Sequence, residues 1–374
     1  MLRAMYAVRS RPGAEDAAGR GGRSSPQQAG VTAAGRGRPR ILAIDVARGL
    51  SIALVVLGHT PVPQWLNGPL SVVRLPLFFV VSGFLFNLAR YRDAGRMLVA
   101  RRVQRLVVPY LVSGLLTYLF WLCVKRRVEP AQGRIPWYRP LLGLLYGSST
   151  EEWLPFNLPL WFLPTLFSAS LVFWALMRAV ANRSRLVQAA AFALAGATGA
   201  VAGRLVFLPW GLDIALVAQP FLWTGSLLRQ AGWLARQPFL PALAWLGGAA
   251  LYVLSLTFNG PVAMNVREYG SLPWFYAGGV GGSLVLLRLA QGLAARPAAY
   301  RLLAALGRNS LVILSFHVGL AFPLLAQMAQ ALLGDPYLHA WWLYWLWGLA
   351  FPAALAAGIN RHPLLRLLLA GDPT

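Results

Sequence analysis

The chain has 374 residues, 57% of them hydrophobic and only 12% charged, with a formal net charge of +23. A mean hydropathy of +0.56 excludes an ordinary soluble protein of this length, which would expose too much apolar surface. It fits an all-α polytopic membrane protein instead. The basic residues are spread between apolar runs, so their excess reads as a positive-inside bias and not as nucleic-acid binding.

Residues 1–40 are rich in Arg, Gly, Ala, Ser and Pro and lack an apolar stretch, which predicts a disordered Arg-rich cytoplasmic tail. No h-region with a cleavage site marks a secretory signal there. Ten apolar segments of membrane-helix type follow, at 44–62, 69–89, 106–124, 158–178, 186–204, 210–228, 238–258, 271–291, 309–332 and 340–360. Pro109, Pro164 and Pro352 fall inside them, which membrane helices tolerate. A transmembrane domain over 41–362 and a short cytoplasmic tail over 363–374 are therefore expected.

With the first tail inside, the expected cytoplasmic segments carry 25 Arg and the outer segments seven basic residues. That bias predicts both termini in the cytoplasm. The longest outer loop, 125–157, carries Trp, Tyr and Leu in "IPWYRPLLGLLYG" and reads as an interfacial or folded-back segment. Cys123 is the sole cysteine, so no disulfide can form within the chain. The histidines at 59, 317, 339 and 362 lack zinc-site spacing, and no metal is expected.

Within the first segment, "IDVARGLSIALVVLGH" places Asp45, Arg48 and His59 in a greasy run. At about 100° per residue a step of eleven returns to within about 20° of the start, so Arg48 and His59 are expected on one face, roughly 16 Å apart along the axis. Asp45 and Arg48 suit either a simple ion pair at the helix entrance, with His59 capping a helix contact, or the wall of a polar channel, with Arg48 helping to hold an anionic cytoplasmic ligand and His59 as a base toward the outer side. In "RLPLFFVVSGFLF", Ser82 and Gly83 suit close helix packing, and Arg74 lies near the outer end in the company of His59. In "ARRVQRLVVPY", Arg102 and Arg105 are one turn apart; they suit either anionic lipid or the phosphates of a nucleotide-bearing donor. Glu151, Glu152, Asn157, Trp161, Asp213, Asn265 and Glu268 are expected on or near the outer surface, where carboxylates and aromatic faces suit sugars. His317 reads as a buried packing residue with a possible second role, and Gly278 and Gly282 as a helix-packing pair.

The blocks "IDVARGLSIALVVLGH", "PLFFVVSGFLF", "RRVQRLVVPY", "LPLWFLPTLF" and "LGRNSLVILSFH" together resemble the acyltransferase-3 family of integral-membrane O-acyltransferases, most nearly its fucose 4-O-acetylase-like sugar acetylases. The resemblance implies transfer of an acyl group, usually acetyl from cytoplasmic acetyl-CoA, to a carbohydrate on the far side of a bacterial cytoplasmic (inner) membrane. By position His59 matches the family's essential histidine and Arg48 the arginine paired with it. Arg102 and Arg105 match its RxxR motif, taken to engage the donor, and Trp161 falls in the "LWFL" block. With Arg48 helping to hold the acyl donor, Asp45 organising the donor side and Trp161, Asn157 and Glu152 toward the acceptor, His59 is expected to act as general base or as nucleophile. An exporter of lipid-linked sugar and a structural subunit of a polysaccharide machine are the rival readings.

Overall fold

The structure is a computed structural model and describes residues 41–234, 240–334 and 340–371. The basic tail over 1–40, His339 and the last three residues lie outside the described residues. Described residues form helices throughout; one isolated antiparallel bridge, Ala263 to Glu268, is the only extended pairing among them.

In chain order the helices are α1 (Leu42–Leu57), α2 (Gln64–Leu85), α3 (Gly95–Val128), α4 (Arg139–Tyr146) and α5 (Leu158–Val180). There follow α6 (Arg185–Leu205), α7 (Pro209–Val217), α8 (Gln219–Ala231), α9 (Ala242–Phe258) and α10 (Leu272–Ala294). Then come α11 (Pro297–Arg308), α12 (Ser310–Leu333) and α13 (Trp341–Ile359), and a short helical segment, Pro363–Ala370, follows in the stretch expected to be a tail. All ten apolar segments fall on helices. Seven helices are long and apolar enough to cross a membrane, or up to eight if the bent pair α7–α8 is one span. At 16 and 17 residues, α1 and α9 are shorter, each rising only about 25 Å against a hydrocarbon core of about 30 Å.

Several boundaries differ from the sequence expectation for local reasons. The first span ends at Leu57 because Pro61, four residues on, has no N–H to bond Leu57 O, which Thr60 N bonds instead. Regular helical counting therefore stops short of His59. The third span has no separate loop before it. Its helix begins at Gly95 and absorbs π-helical turns at Val103–Val107 and Trp121–Lys125. The sixth is not straight, since α7 and α8 meet at 57°, with Pro220 lacking the N–H that would bond across the break.

Small residues set the helix approaches. A Cβ on Gly83 of α2 would overlap the backbone of Leu222 on α8, and one on Gly225 of α8 would overlap Val80 O. Gly278 of α10 packs on Ser255 of α9 in the same way, and Gly282 meets Val73 and Tyr252. Arg229 on α8 donates from Nη1 to Phe84 O (3.2 Å) and Phe86 O (3.0 Å), satisfying carbonyls that the end of α2 leaves open. The core is aromatic: Phe79, Phe173, Phe192, Phe221 and Phe275 are fully buried.

Two contacts orient α1 against α12. Arg48 Nη2 donates to Ser310 Oγ (3.3 Å) at their starts. The rings of His59 and His317 meet further along, with centroids 5.2 Å apart. The two helices thus run side by side in the same direction. At the crossing of α1 with α11, a Cβ on Gly49 would overlap Leu303 O, and one on Gly307 would overlap Asp45 O. Gly49→Ala should therefore lower the thermal midpoint of the detergent-purified protein, by an overpacking cost of about 1–3 kcal/mol. An unchanged melting curve would contradict this packing.

Candidate active site

Where α1 ends, a cavity of about 630 Å³ opens against the first half of α2, the start of α5 and the connection between α9 and α10. The last turn of α1 tightens, with His59 N donating to Val56 O and Thr60 N to Leu57 O, both at 3.1 Å. That turn places the His59 side chain, exposed, in the cavity wall.

Behind it stands His317, fully buried at the first position of a π-helical turn, His317–Ala321. Its ring is tilted 56° to that of His59, and Phe322 meets its other side edge-on. His317 Nδ1 lies 2.9 Å from Ile313 O and 3.1 Å from Leu314 O. Carbonyl oxygens only accept, so Nδ1 carries the proton and the neutral ring keeps its lone pair on Nε2. That Nε2 meets no hydrogen-bonding partner among the described residues. A buried imidazole with an unused acceptor thus backs the exposed one.

The other walls are polar. Arg74 of α2 lines the cavity, its Nη2 donating to Asn67 Oδ1 (2.8 Å) two turns earlier on the same helix. Gln64, Asn259, Asn265 and Glu268 add amides and a carboxylate, and Trp161 adds an aromatic ring. Amides and a carboxylate beside an aromatic face suit a polyhydroxylated ligand, because each can pair with a hydroxyl while the ring covers C–H surface.

The loop carrying Asn265 and Glu268 is pinned by a buried ion pair. Arg267 Nε donates to Asp213 Oδ2 (2.6 Å) and Nη2 to Asp213 Oδ1 (3.1 Å), with both side chains almost wholly inaccessible. Arg267 Nη1 also donates to Asn265 O (2.7 Å) and to Ser149 Oγ. The Phe207 ring lies 3.7 Å from its guanidinium carbon. Arg267 adopts φ 64°, a left-handed conformation uncommon outside glycine, which this bidentate pairing holds in place. Asp213 and Arg267 are 54 positions apart, and nothing local in the sequence joins them.

The residues singled out in the sequence separate into groups. His59 and Trp161 line the cavity together, as do Asn265 and Glu268. Asp45 and Arg48 do not; they are partly buried near the start of α1, Arg48 against Ser310. Along α1 Val46, Ala47, Ser51, Ile52 and Val56 are packed to zero exposure, and neither Asp45 nor Arg48 lines the cavity that holds His59. Arg102 and Arg105 lie elsewhere again. Arg102 is half-buried with its guanidinium over Phe86, 5.7 Å from the ring centroid, and Arg105 is exposed. The step between them enters a π-helical turn, so they do not follow a regular α-helical face.

Three outer-surface expectations are corrected, Asp213 among them, since it is the fully buried partner of Arg267. Asn157 is not at the surface but fully buried, donating from Nδ2 to Ser315 O (2.6 Å) and Thr117 Oγ1 (3.3 Å). Glu152 is exposed but pairs with Arg139, which also lies over Trp153; Glu152 does not line the cavity. Among the described residues no cluster of His, Cys, Asp or Glu could hold a metal ion.

No curated protein and no solved structure matches this chain. Comparison with protein families matches residues 41–361, nearly all of the helical bundle, to the family described as an acyltransferase domain. That match makes this helical membrane protein a member of the acyltransferase-3 family.

Proposed function

We propose that this protein moves an acyl group, acetyl in the first instance, from cytoplasmic acyl-CoA to a hydroxyl of a carbohydrate on the opposite side of a bacterial inner membrane, with His59 as general base. One observation carries the reading: in an acyltransferase, the exposed histidine stands in a polar cavity large enough for a sugar unit. Ten crossings, counting α7–α8 as one, with both termini in the cytoplasm would open that cavity to the outside. The parallel course of α1 and α12, first and ninth in that scheme, agrees with it.

In this scheme Arg102 and Arg105 hold the anionic head of CoA, and Arg48 with Asp45 guides the donor at the inner end. The pantetheine arm then lies along the seam between α1 and α12. Support comes from four buried polar atoms on or beside that seam, Ser51 Oγ, Ser315 Oγ, Asn157 Oδ1 and His317 Nε2, which meet no partner among the described residues. Buried polar groups are costly unless bonded, and an amide-bearing arm would bond them. Because α1 is closely packed there, entry requires the seam to part. His59 then takes the proton of the incoming hydroxyl as its oxygen attacks the thioester carbonyl. Trp161, Asn265 and Glu268 line the acceptor side.

Purified protein in liposomes, given radiolabelled acetyl-CoA on one face and glycan extract on the other, should label the glycan. Label appearing only when both substrates share a face would refute transfer across the membrane. No label under any arrangement, against untreated liposomes as control, would favour the exporter or structural readings.

A further inference from the structure

Resting on the acyl-transfer reading above, we infer that Arg74 is a catalytic residue that stabilises the oxyanion of the transfer step, and that Gly58 is there to admit it beside His59.

The backbone at Gly58 is right-handed, φ −68° and ψ −9°, so any residue could adopt it. What a side chain there would meet is the end of Arg74, which would have to move aside. A Cβ on Gly58 would overlap Arg74 Nη1, and Arg74 Nε would lie 3.2 Å from it. The guanidinium therefore lies directly over the residue that precedes the base. Its fork is held from the far side, through Nη2 to Asn67 Oδ1 at 2.8 Å. A guanidinium has five N–H donors, so most remain beyond the Asn67 bond, and the side chain lines the cavity. Glu268 lines the same cavity, yet no carboxylate among the described residues is within ion-pairing distance of Arg74. Arg74 thus presents its charge to the cavity with no carboxylate beside it among the described residues, available to a negative charge on a ligand there.

The chemistry requires such a charge next to the base. The acceptor O–H proton passes to His59 while the acceptor oxygen bonds to the thioester carbonyl carbon. The carbonyl π pair moves onto its oxygen, and this negative charge falls to Arg74. Collapse restores the C=O bond, breaks the C–S bond and sends the electron pair to sulfur; the imidazolium returns its proton to the thiolate. A donor fixed before the reaction lowers the barrier only where charge develops, which is a kcat effect.

The test uses the full-length protein in liposomes, with radiolabelled acetyl-CoA and total glycan extract from cells lacking the protein. Arg74→Gln should lower kcat about 100-fold, the scale of losing one oxyanion donor, with KM for acetyl-CoA and for the extract changed less than about threefold. Gly58→Ala, by displacing the guanidinium, should reproduce that loss, and the double variant should be no worse than either single one. Guanidinium chloride at millimolar levels should partly restore Arg74→Ala, a rescue that a misfolded variant cannot show. Unchanged kcat in Arg74→Gln overturns the inference, as does a loss confined to KM for the extract, which would make Arg74 an acceptor-binding group. Multiplying losses in the double variant would overturn the role of Gly58. Full activity in His59→Ala would instead sink the underlying reading, whatever Arg74 does.

Discussion

His59→Ala should lose transfer by a factor of about 10²–10⁴, the usual contribution of a positioned general base, while inserting and melting like the wild type. The separation of the two effects follows from where the ring sits. It is exposed to the cavity, its one ring contact is with His317, and the helix it follows has already closed at Gly58. Removing it strips little packing but leaves no other histidine in the cavity wall. His317 cannot substitute, since it is fully buried and does not line the cavity. Initial rates of acetyl transfer, read beside a melting curve in detergent, check this. A variant that keeps full turnover removes His59 from the mechanism. If His59 is instead a nucleophile, wild-type protein quenched during turnover should yield an acetylated His59 peptide; a general base leaves none.

The helices were legible because lipid solvation demands long apolar runs, and each of the ten runs contains a helix. Their ends were less so. Hydropathy does not register that Pro61 stops α1, nor that π-helical turns let α3 run on from Gly95. Within the site, His59 stood out because a polar residue in an apolar run needs a reason. Arg74 stood out more weakly, through its shared outer position. What could not be read were partnerships across the fold. Spacing along α1 put Arg48 and His59 on one face, but facing the same way did not put them in one cavity; of the two, only His59 lines it. The contact of His59 with His317 joins positions far apart in the chain, and the left-handed Arg267 has no sequence signal at all. Asn157 looked like a surface amide because it follows a polar loop, yet Ser315 O and Thr117 Oγ1 draw it inside.

Asp213→Ala should destabilise the protein by about 3–5 kcal/mol, because it leaves a buried guanidinium without its counter-charge. Arg267 could not escape cheaply. Its side chain is 4% exposed, it lies over Phe207, and its remaining polar partners, Ser149 Oγ and Asn265 O, carry no charge. The φ of 64° adds to the penalty once the pairing that holds it is gone. The damage should reach the cavity as well, since the same loop presents Asn265 and Glu268. At temperatures where the variant stays folded, KM for the glycan extract should rise while KM for acetyl-CoA does not. Replacing both partners, Asp213→Leu with Arg267→Met, should recover much of the melting temperature, because an apolar pair has no charge to desolvate. It should not recover KM, because no bidentate bond then fixes the loop. Recovery of both in the double variant would mean that the ion pair does not position the acceptor side; a normal melting temperature in Asp213→Ala would mean that the pair is not buried as described.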